Sequence, residues 1–261
     1  MVVKKERSFS EKLHGHIPTG ILAGMKKAPS ALEQYGRRAK LDNVQEIAGR
    51  FGFQKKAEQY LLLDLVDKLS LTPEDDVLEI GCAAGNLLIP LSFFVRSMTG
   101  IDHKDLLRTL KSRLPKEKNI TLIPGNFLDV KVSGSFSRIL IYSVIHYLKD
   151  EAELEKFIRK AVAVLRPGGK ILIGDIPNMD RKRRFLRTTE GKKFDAHWRT
   201  LVKNNMGNNI GLIGAHFEIG DDVIARLLRL FKKLRLHAQV LRQPKTHAFS
   251  HTREDILAER R

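Results

Sequence analysis

The string Glu79-Ile80-Gly81-Cys82-Ala83-Ala84-Gly85-Asn86 sets a carboxylate directly ahead of a turn of small residues. Glycines at 81 and 85, with alanines between them, let a ligand lie against bare main chain. Asp102 follows Glu79 by 23 positions, a spacing at which a carboxylate ending the next strand can take both hydroxyls of a ribose. A pyrophosphate disfavours a carboxylate just before such a turn, and Gly81 to Asn86 lacks the G-x-G-x-x-G spacing of dinucleotide-binding enzymes. Glu79 instead suits a ligand that carries an amino acid. No P-loop lysine follows Gly85, which argues against a nucleoside triphosphatase.

Three further side chains can move a proton. His146 is the first candidate base, since an ordinary imidazole titrates near pH 6.5; Asp175 and His197 are the others. Each has a structural alternative: His146 as the cap of a strand end, Asp175 as the boundary of a strand. The run Arg181-Lys182-Arg183-Arg184, continued by Arg187, Lys192 and Lys193, groups cations suited to phosphate or carboxylate. Arg181, Arg183, Arg184 and Arg187 are therefore candidate substrate contacts, with a solvated basic loop as the alternative.

The elements that must position these groups read as alternating strands and helices. Val77–Ile80, Met98–Asp102, Asn119–Ile123, Ser137–Val144 and Lys170–Ile176 are apolar strand runs, separated by helical patterns at Asn86–Arg96, Leu106–Leu114 and Glu151–Leu165. Arg166-Pro167-Gly168-Gly169 is a turn between helix and strand. Such alternation implies a mostly parallel sheet with right-handed crossovers. Helical spacing covers 30–52 and 54–71, with residues 1–30 a lightly structured lead-in, and Tyr35, Arg37, Arg38 and Asn43 able to close one side of a site. Residues 178–219 are basic and rich in Asn and Gly, with one helix around 191–204. A helix at 221–234 and strands at 235–242 and 249–257 complete seven strands. The expected division is an N-terminal, partly helical extension over 1–52 and one α/β domain over 53–261, with 178–219 a basic insertion after strand five.

Glu79 to Gly85, Asp102, Gly125-Asn126-Phe127, Tyr142 to His146 and Leu165 to Gly169 together resemble the class I S-adenosylmethionine-dependent methyltransferases, over about residues 75–177. The resemblance implies a Rossmann-like, seven-stranded sheet and S-adenosyl-L-methionine as cofactor, leaving S-adenosyl-L-homocysteine. It implies cofactor contacts from Glu79, Gly81, Ala83, Gly85, Asp102, His103, Asn126, Phe127, Tyr142 and Ser143. Asp102 would take the ribose, Asn126 and Phe127 the adenine, and Tyr142 and Ser143 would lie under the methionine portion. Ala83 stands where many members have glycine. More narrowly, Gly174–Asn178, the basic run and Glu190–Phe194 resemble methyltransferases of bacterial surface-polysaccharide gene clusters. That implies O-methylation of an anionic small molecule or of a glycan hydroxyl carried on a nucleotide or lipid phosphate.

Composition narrows the classes. The chain has 261 residues and a net charge of +17, distributed as +6 over 1–60, +1 over 61–177 and +10 over 178–261. Segregated positive charge points to an anionic partner, and RNA methylation is the alternative reading. Its expected salt-sensitive binding lacks obvious stacking aromatics, with 4 Tyr and 1 Trp in the chain. Cys82 is the single cysteine, so neither an intrachain disulfide nor a cysteine zinc site is expected. No metal is expected, because no carboxylate ends strand four. The charged N-terminus has no signal-peptide pattern and no apolar run is long enough to span a bilayer, so a cytoplasmic protein is the expectation.

Overall fold

Strands Asp76–Ile80 (β1) and Phe136–Tyr142 (β4) and the second half of Leu165–Pro177 (β5) are almost wholly buried, as near-continuous apolar runs require when both faces of a parallel sheet are covered. The computed structural model describes residues 30–50, 54–205 and 217–261; the lead-in through residue 29 and residues 206–216 of the basic stretch lie outside them. With Ser97–Asp102 (β2), Ile120–Pro124 (β3), Leu236–Arg242 (β6) and Arg253–Arg260 (β7), the strands form one sheet in the order β3-β2-β1-β4-β5-β7-β6. Only β7 runs antiparallel to its neighbours β5 and β6. The sequence-based α/β, seven-stranded expectation holds. Strand order reverses between β1 and β4, so the crevice beyond their carboxyl ends is where a ligand belongs in such a sheet.

Alternation along each strand assigns the two cores. Leu78, Ile80, Ile139 and Ile141 face one side with Ile158 of Glu151–Ala163 and Phe231 of Asp221–Lys233. Val77, Leu140 and Leu172 face the other, with Leu61, Leu65 and Leu69 of Lys55–Leu69. In chain order the helices are Ala31–Arg37 (α1), Val44–Ile47 (α2), Lys55–Leu69 (α3), Leu88–Leu91 (α4), Lys104–Lys111 (α5), Glu151–Ala163 (α6), Met179–Leu186 (α7), Thr189–Asn205 (α8) and Asp221–Lys233 (α9). No helix among the described residues is long and apolar enough to cross a membrane.

Several boundaries differ from the sequence reading. The apolar stretch 86–96 forms only the short α4, which contains Pro90; a proline removes a helix donor and crowds the preceding turn. The 30–52 pattern is broken into α1, a 3-10 turn at Arg38–Lys40 and α2. Ser30 and Glu33 form the capping box that starts α1, and Asn43 caps α2 by accepting from the Gln45 N–H. The Arg166–Gly169 turn lies inside β5 as a wide bulge: Phe136 pairs with Leu165, yet Arg138 pairs with Lys170. In the basic stretch, α7 had not been expected. Asn178 caps it by accepting from the Arg181 N–H, a start signal that composition had masked.

Candidate functional site

The turn after β1 is built from conformations that side chains resist. Gly81 has φ +84, and a Cβ there would lie 2.5 Å from Val144 Cγ2. Gly85 has φ +85, and its Cβ would meet Leu110 at 2.3 Å. Ala83 adopts φ +45, a left-handed conformation that costs a non-glycine residue about 1 kcal/mol. Its N–H donates to Asp102 Oδ2 at 2.7 Å, while the His103 N–H donates to Oδ1 at 2.6 Å. Asp102, at the end of β2, is thus held rigidly with lone pairs to spare. Burial pushes its carboxyl above the usual range despite those two N–H donors.

Glu79 is the least satisfied group in this turn. It is 2 % exposed, and its Oε2 has no hydrogen-bond partner. Burial, and then the neighbouring charge of Asp102, push it up to about 8. A buried carboxylate without a cation is unfavourable, so this position is prepared for a cationic ligand group.

Both carboxylates open into a cavity of about 1110 Å³, larger than a single cofactor-sized pocket requires. Of the sequence-predicted cofactor residues, Glu79, Gly81, Ala83, Asp102, Asn126, Phe127, Tyr142 and Ser143 line it; Gly85 and His103 do not. Gly85 makes room for Leu110, and the His103 side chain caps α5 by accepting from the Asp105 N–H. His103 also lies so close to Gly36 that a Cβ there would meet its ring at 2.3 Å. Phe127 packs edge-on against Phe157 at 4.9 Å, and Asn126 Oδ1 accepts from the Leu128 N–H.

The proposed proton-moving residues fall elsewhere. His146 is 5 % exposed, outside the cavity wall, with its ring 4.0 Å from Tyr147. Burial, aided by Arg253, drives its imidazole down to about 3, so it is a poor base at neutral pH. Asp175 is also buried outside the wall, at φ +60. It accepts from Ser143 Oγ and from Arg253 at 2.7 Å, with Arg50 at 3.5 Å. Burial raises its pKa, but the two arginines win and hold it below the usual carboxylate range. His197 is exposed on α8 and away from the cavity.

The candidate substrate arginines are likewise turned to other work. Arg181 donates to the carbonyls of Ser250 and His251, Arg183 pairs with Asp180 at 2.6 Å, and Arg184 with Asp221 at 2.5 Å. Arg187 is exposed. None of the four lines the cavity; Arg181, Arg183 and Arg184 instead bind helix ends and loops together.

The wall is completed instead by the N-terminal segment, which carried no motif. Tyr35 lines the cavity, and its hydroxyl donates to that of Tyr147 at 2.6 Å. Arg38 stacks on Tyr35, its guanidinium carbon 4.9 Å from the ring centre. Gln45, Arg50 and Glu58 also line it. Arg50 donates to Ser143 Oγ at 3.1 Å and lies 3.8 Å from Glu58. No local pattern singles out Arg50 or Glu58; only the return of the chain over the strand ends makes them part of the site.

Comparison with known proteins agrees with this geometry. Residues 77–169 match the family described as Methyltransferase domain. An uncharacterized methyltransferase of Bacillus mycoides is 38% identical over 101 residues, covering 38% of this chain and 46% of that protein. Nodulation protein S of Sinorhizobium fredii is 28% identical over 123 residues, covering 46% and 55%. The chain spans about half the length, or less, of the curated relatives it matches. The crystal structure of the N-methyltransferase NodS from Bradyrhizobium japonicum, in complex with S-adenosyl-L-homocysteine, has the same fold. It superposes with a TM-score of 0.56 at 19% identity over 88% of this chain and 97% of that one.

Proposed function

We propose that this chain, whose residues 77–169 form a class I S-adenosylmethionine-dependent methyltransferase domain, methylates an amine nitrogen of a small molecule. The observation that carries the cofactor reading is the unpartnered Glu79 carboxylate, buried in the wall of the same cavity as Asp102. When bound, S-adenosylmethionine supplies an electrophilic methyl group on a sulfonium centre. Glu79 would oppose the α-ammonium of its methionine portion, and Asp102 would accept from the ribose hydroxyls with lone pairs its backbone donors leave free. Asn126 and Phe127 would flank the base. Gly81 keeps the main chain bare where a side chain would otherwise collide, and Tyr142 and Ser143 form the floor at the end of β4. On the open side α1, α2 and the Tyr35–Tyr147 pair would shield the reacting groups from water.

The choice of acceptor rests on which groups the wall offers. A hydroxyl acceptor needs a base within hydrogen-bond reach, and His146 and Asp175 are both withdrawn from the wall and protonate poorly. An amine brings its own lone pair once a proton has left to water. Among the described residues lining the cavity, five are carboxylates (Glu33, Glu58, Glu79, Asp102, Glu153) and three are cations (Arg50, Lys55, Lys149). An anionic nucleotide- or lipid-linked sugar, expected from the basic stretch, would meet a wall with more carboxylates than cations there. That NodS is an N-methyltransferase agrees with this preference.

The test is incubation with methyl-labelled S-adenosylmethionine and extract of the source cells, separated into RNA, lipid-glycan and small-molecule fractions. The expected outcome is nuclease-resistant label on an amine, released as a methylated amine after acid hydrolysis. Label on a sugar oxygen would restore the O-methylation expectation, and label in nuclease-sensitive material would replace both with RNA modification.

A further inference from the structure

The cavity wall is unbalanced in hydrogen-bonding character. Three buried side-chain atoms lining the cavity lack a partner: Gln45 Oε1, Glu79 Oε2 and Asn86 Oδ1. All three are acceptors. The amide orientations are fixed by their nitrogens, since Asn86 Nδ2 donates to the Val44 carbonyl at 3.3 Å and the Gln45 side chain is hydrogen-bonded to Glu58. Asn86 is thereby tied to the residue next to Gln45, and Gln45 to Glu58. These three side chains form one corner where α2, the start of α3 and the turn after β1 meet.

The half-buried donor beside that corner, Arg50, is already committed, and Lys55 at the start of α3 is exposed. The Arg50 guanidinium reaches Ser143 Oγ, Asp175 and Glu58. It also bridges the corner to the end of β4, because Ser143 and Tyr142, over whose ring Arg50 lies at 5.7 Å, form the cavity floor. A ligand group entering here meets oxygen acceptors and a half-buried carboxylate, and must itself be a donor in several directions. An ammonium group, with three donors and a positive charge, is the simplest group that meets this demand. Glu79 already serves the amino group of the cofactor, so the Gln45–Glu58–Asn86 corner is left for a second amine.

We infer that Glu58, with Gln45 Oε1 and Asn86 Oδ1, binds the ammonium of the methyl acceptor, which gives up one proton to Glu58 or to water before its lone pair takes the methyl, and so selects primary amines as substrates. The inference rests on the proposed methyltransferase reading and goes beyond it in assigning acceptor recognition to residues that neither motif nor relative identifies. Glu58 is a specificity residue in this account, and Gln45 positions it. An ether would leave both Gln45 Oε1 and Asn86 Oδ1 unpaired on binding, and a single hydroxyl or thiol, with one hydrogen to donate, would leave one of them so; buried groups left unpaired discriminate strongly against the wrong ligand.

The probe is a pair of cofactor analogues that share adenosine and the amino-acid end. S-adenosylhomocysteine has a neutral sulfur where methyl transfer occurs, whereas sinefungin has a carbon bearing an amine at that point. Isothermal titration of both against the full chain reads the corner directly. Wild-type protein is expected to bind sinefungin about tenfold or more tightly than S-adenosylhomocysteine, as for a charge-assisted hydrogen bond. Glu58→Gln is expected to remove most of that preference while S-adenosylhomocysteine affinity stays within about twofold. Gln45→Leu, checked for folding by its thermal melt, is expected to weaken the preference less. An unchanged preference in Glu58→Gln overturns the inference, and equal weakening of both ligands overturns it too by assigning Glu58 to the cofactor. Failure of wild-type protein to bind S-adenosylhomocysteine at all removes the methyltransferase reading and the inference with it.

Discussion

The two flanking regions are both basic in sequence, yet they relate to the cavity in opposite ways. Residues 30–50, in a flank without any recognised motif, supply Tyr35, Gln45 and Arg50 to the cavity wall. Helices α7 and α8, where arginines and lysines are densest, supply none of its described lining. The difference lies in what each charge is paired with. Arg183, Arg184 and Arg199 meet acids of their own surface at 2.6, 2.5 and 2.5 Å, and exposed pairs of that kind contribute little beyond holding helices in place. Arg50 is instead drawn between Asp175, Glu58 and Ser143 at the edge of the ligand space. The same contrast separates two buried acids. Glu79 has an unpartnered oxygen and Asp175 has two arginines, so Glu79 is open to a ligand in the proposed function while Asp175 ties strand ends together.

The comparison breaks if a basic-helix residue matters to the cofactor as much as a cavity acid does. The largest effect is expected for Glu79→Gln, which should weaken S-adenosylhomocysteine binding about a hundredfold, the scale of a buried charge-assisted contact. Arg183→Ala should change it by less than about twofold. Titration calorimetry of both variants reads the difference.

Arg50→Met comes next. It leaves the buried Asp175 with Arg253 alone, and chemical denaturation should show a loss of about 2 kcal/mol. Loss of the same size from Arg184→Ala would erase the distinction between the two flanks.

A pH dependence sharpens it further. Glu79 is raised from 4.5 to about 8, so an acid protonated in the folded state is ionised in the unfolded one. Its contribution therefore lowers the stability of the ligand-free protein as pH rises from about 4.5 towards 8. His146 acts in the other window: depressed to about 3, it lowers stability as pH falls below its ordinary value near 6.5. Melting curves of wild type and Glu79→Gln should run parallel below about pH 4.5 and diverge progressively as pH rises from there towards about 8.

Smaller effects remain at the cavity edge. Tyr35→Phe removes the hydroxyl bond to Tyr147 and should destabilise by about 1 kcal/mol, with a few-fold faster release of S-adenosylhomocysteine in stopped-flow measurements. Ala83→Gly should raise stability by about 0.5 kcal/mol, as relief of the φ +45 strain slightly exceeds the added chain entropy.

How much of this was legible in the sequence follows from how local each signal is. The strand runs, the Glu79–Gly85 turn and Asp102 are short-range patterns, and the sheet and most of the residues that line the cavity beside it could be read from them. Gly85 and His103 sit in the same motif but serve packing and helix capping, which spacing alone does not separate from ligand contact. His146 follows β4 at the right position, yet whether it faces the cavity depends on a 3-10 turn, Ile145–Tyr147, that buries it. The basic run signalled binding by composition, but its partners Asp180, Asp221 and Glu254 lie up to 73 positions away. Gln45, Arg50 and Glu58 had no signal at all, because their role arises only where the N-terminal segment crosses the strand ends.

The central claim is that Glu79 waits protonated for the ammonium of an amino-acid-bearing cofactor. Titration of S-adenosylhomocysteine near pH 7 in two buffers of different ionisation enthalpy tests it most directly. The account predicts net proton release on ligand binding by the wild type, and less by Glu79→Gln, which should also bind far more weakly. Tight binding to Glu79→Gln, or proton release undiminished by the substitution, would contradict it.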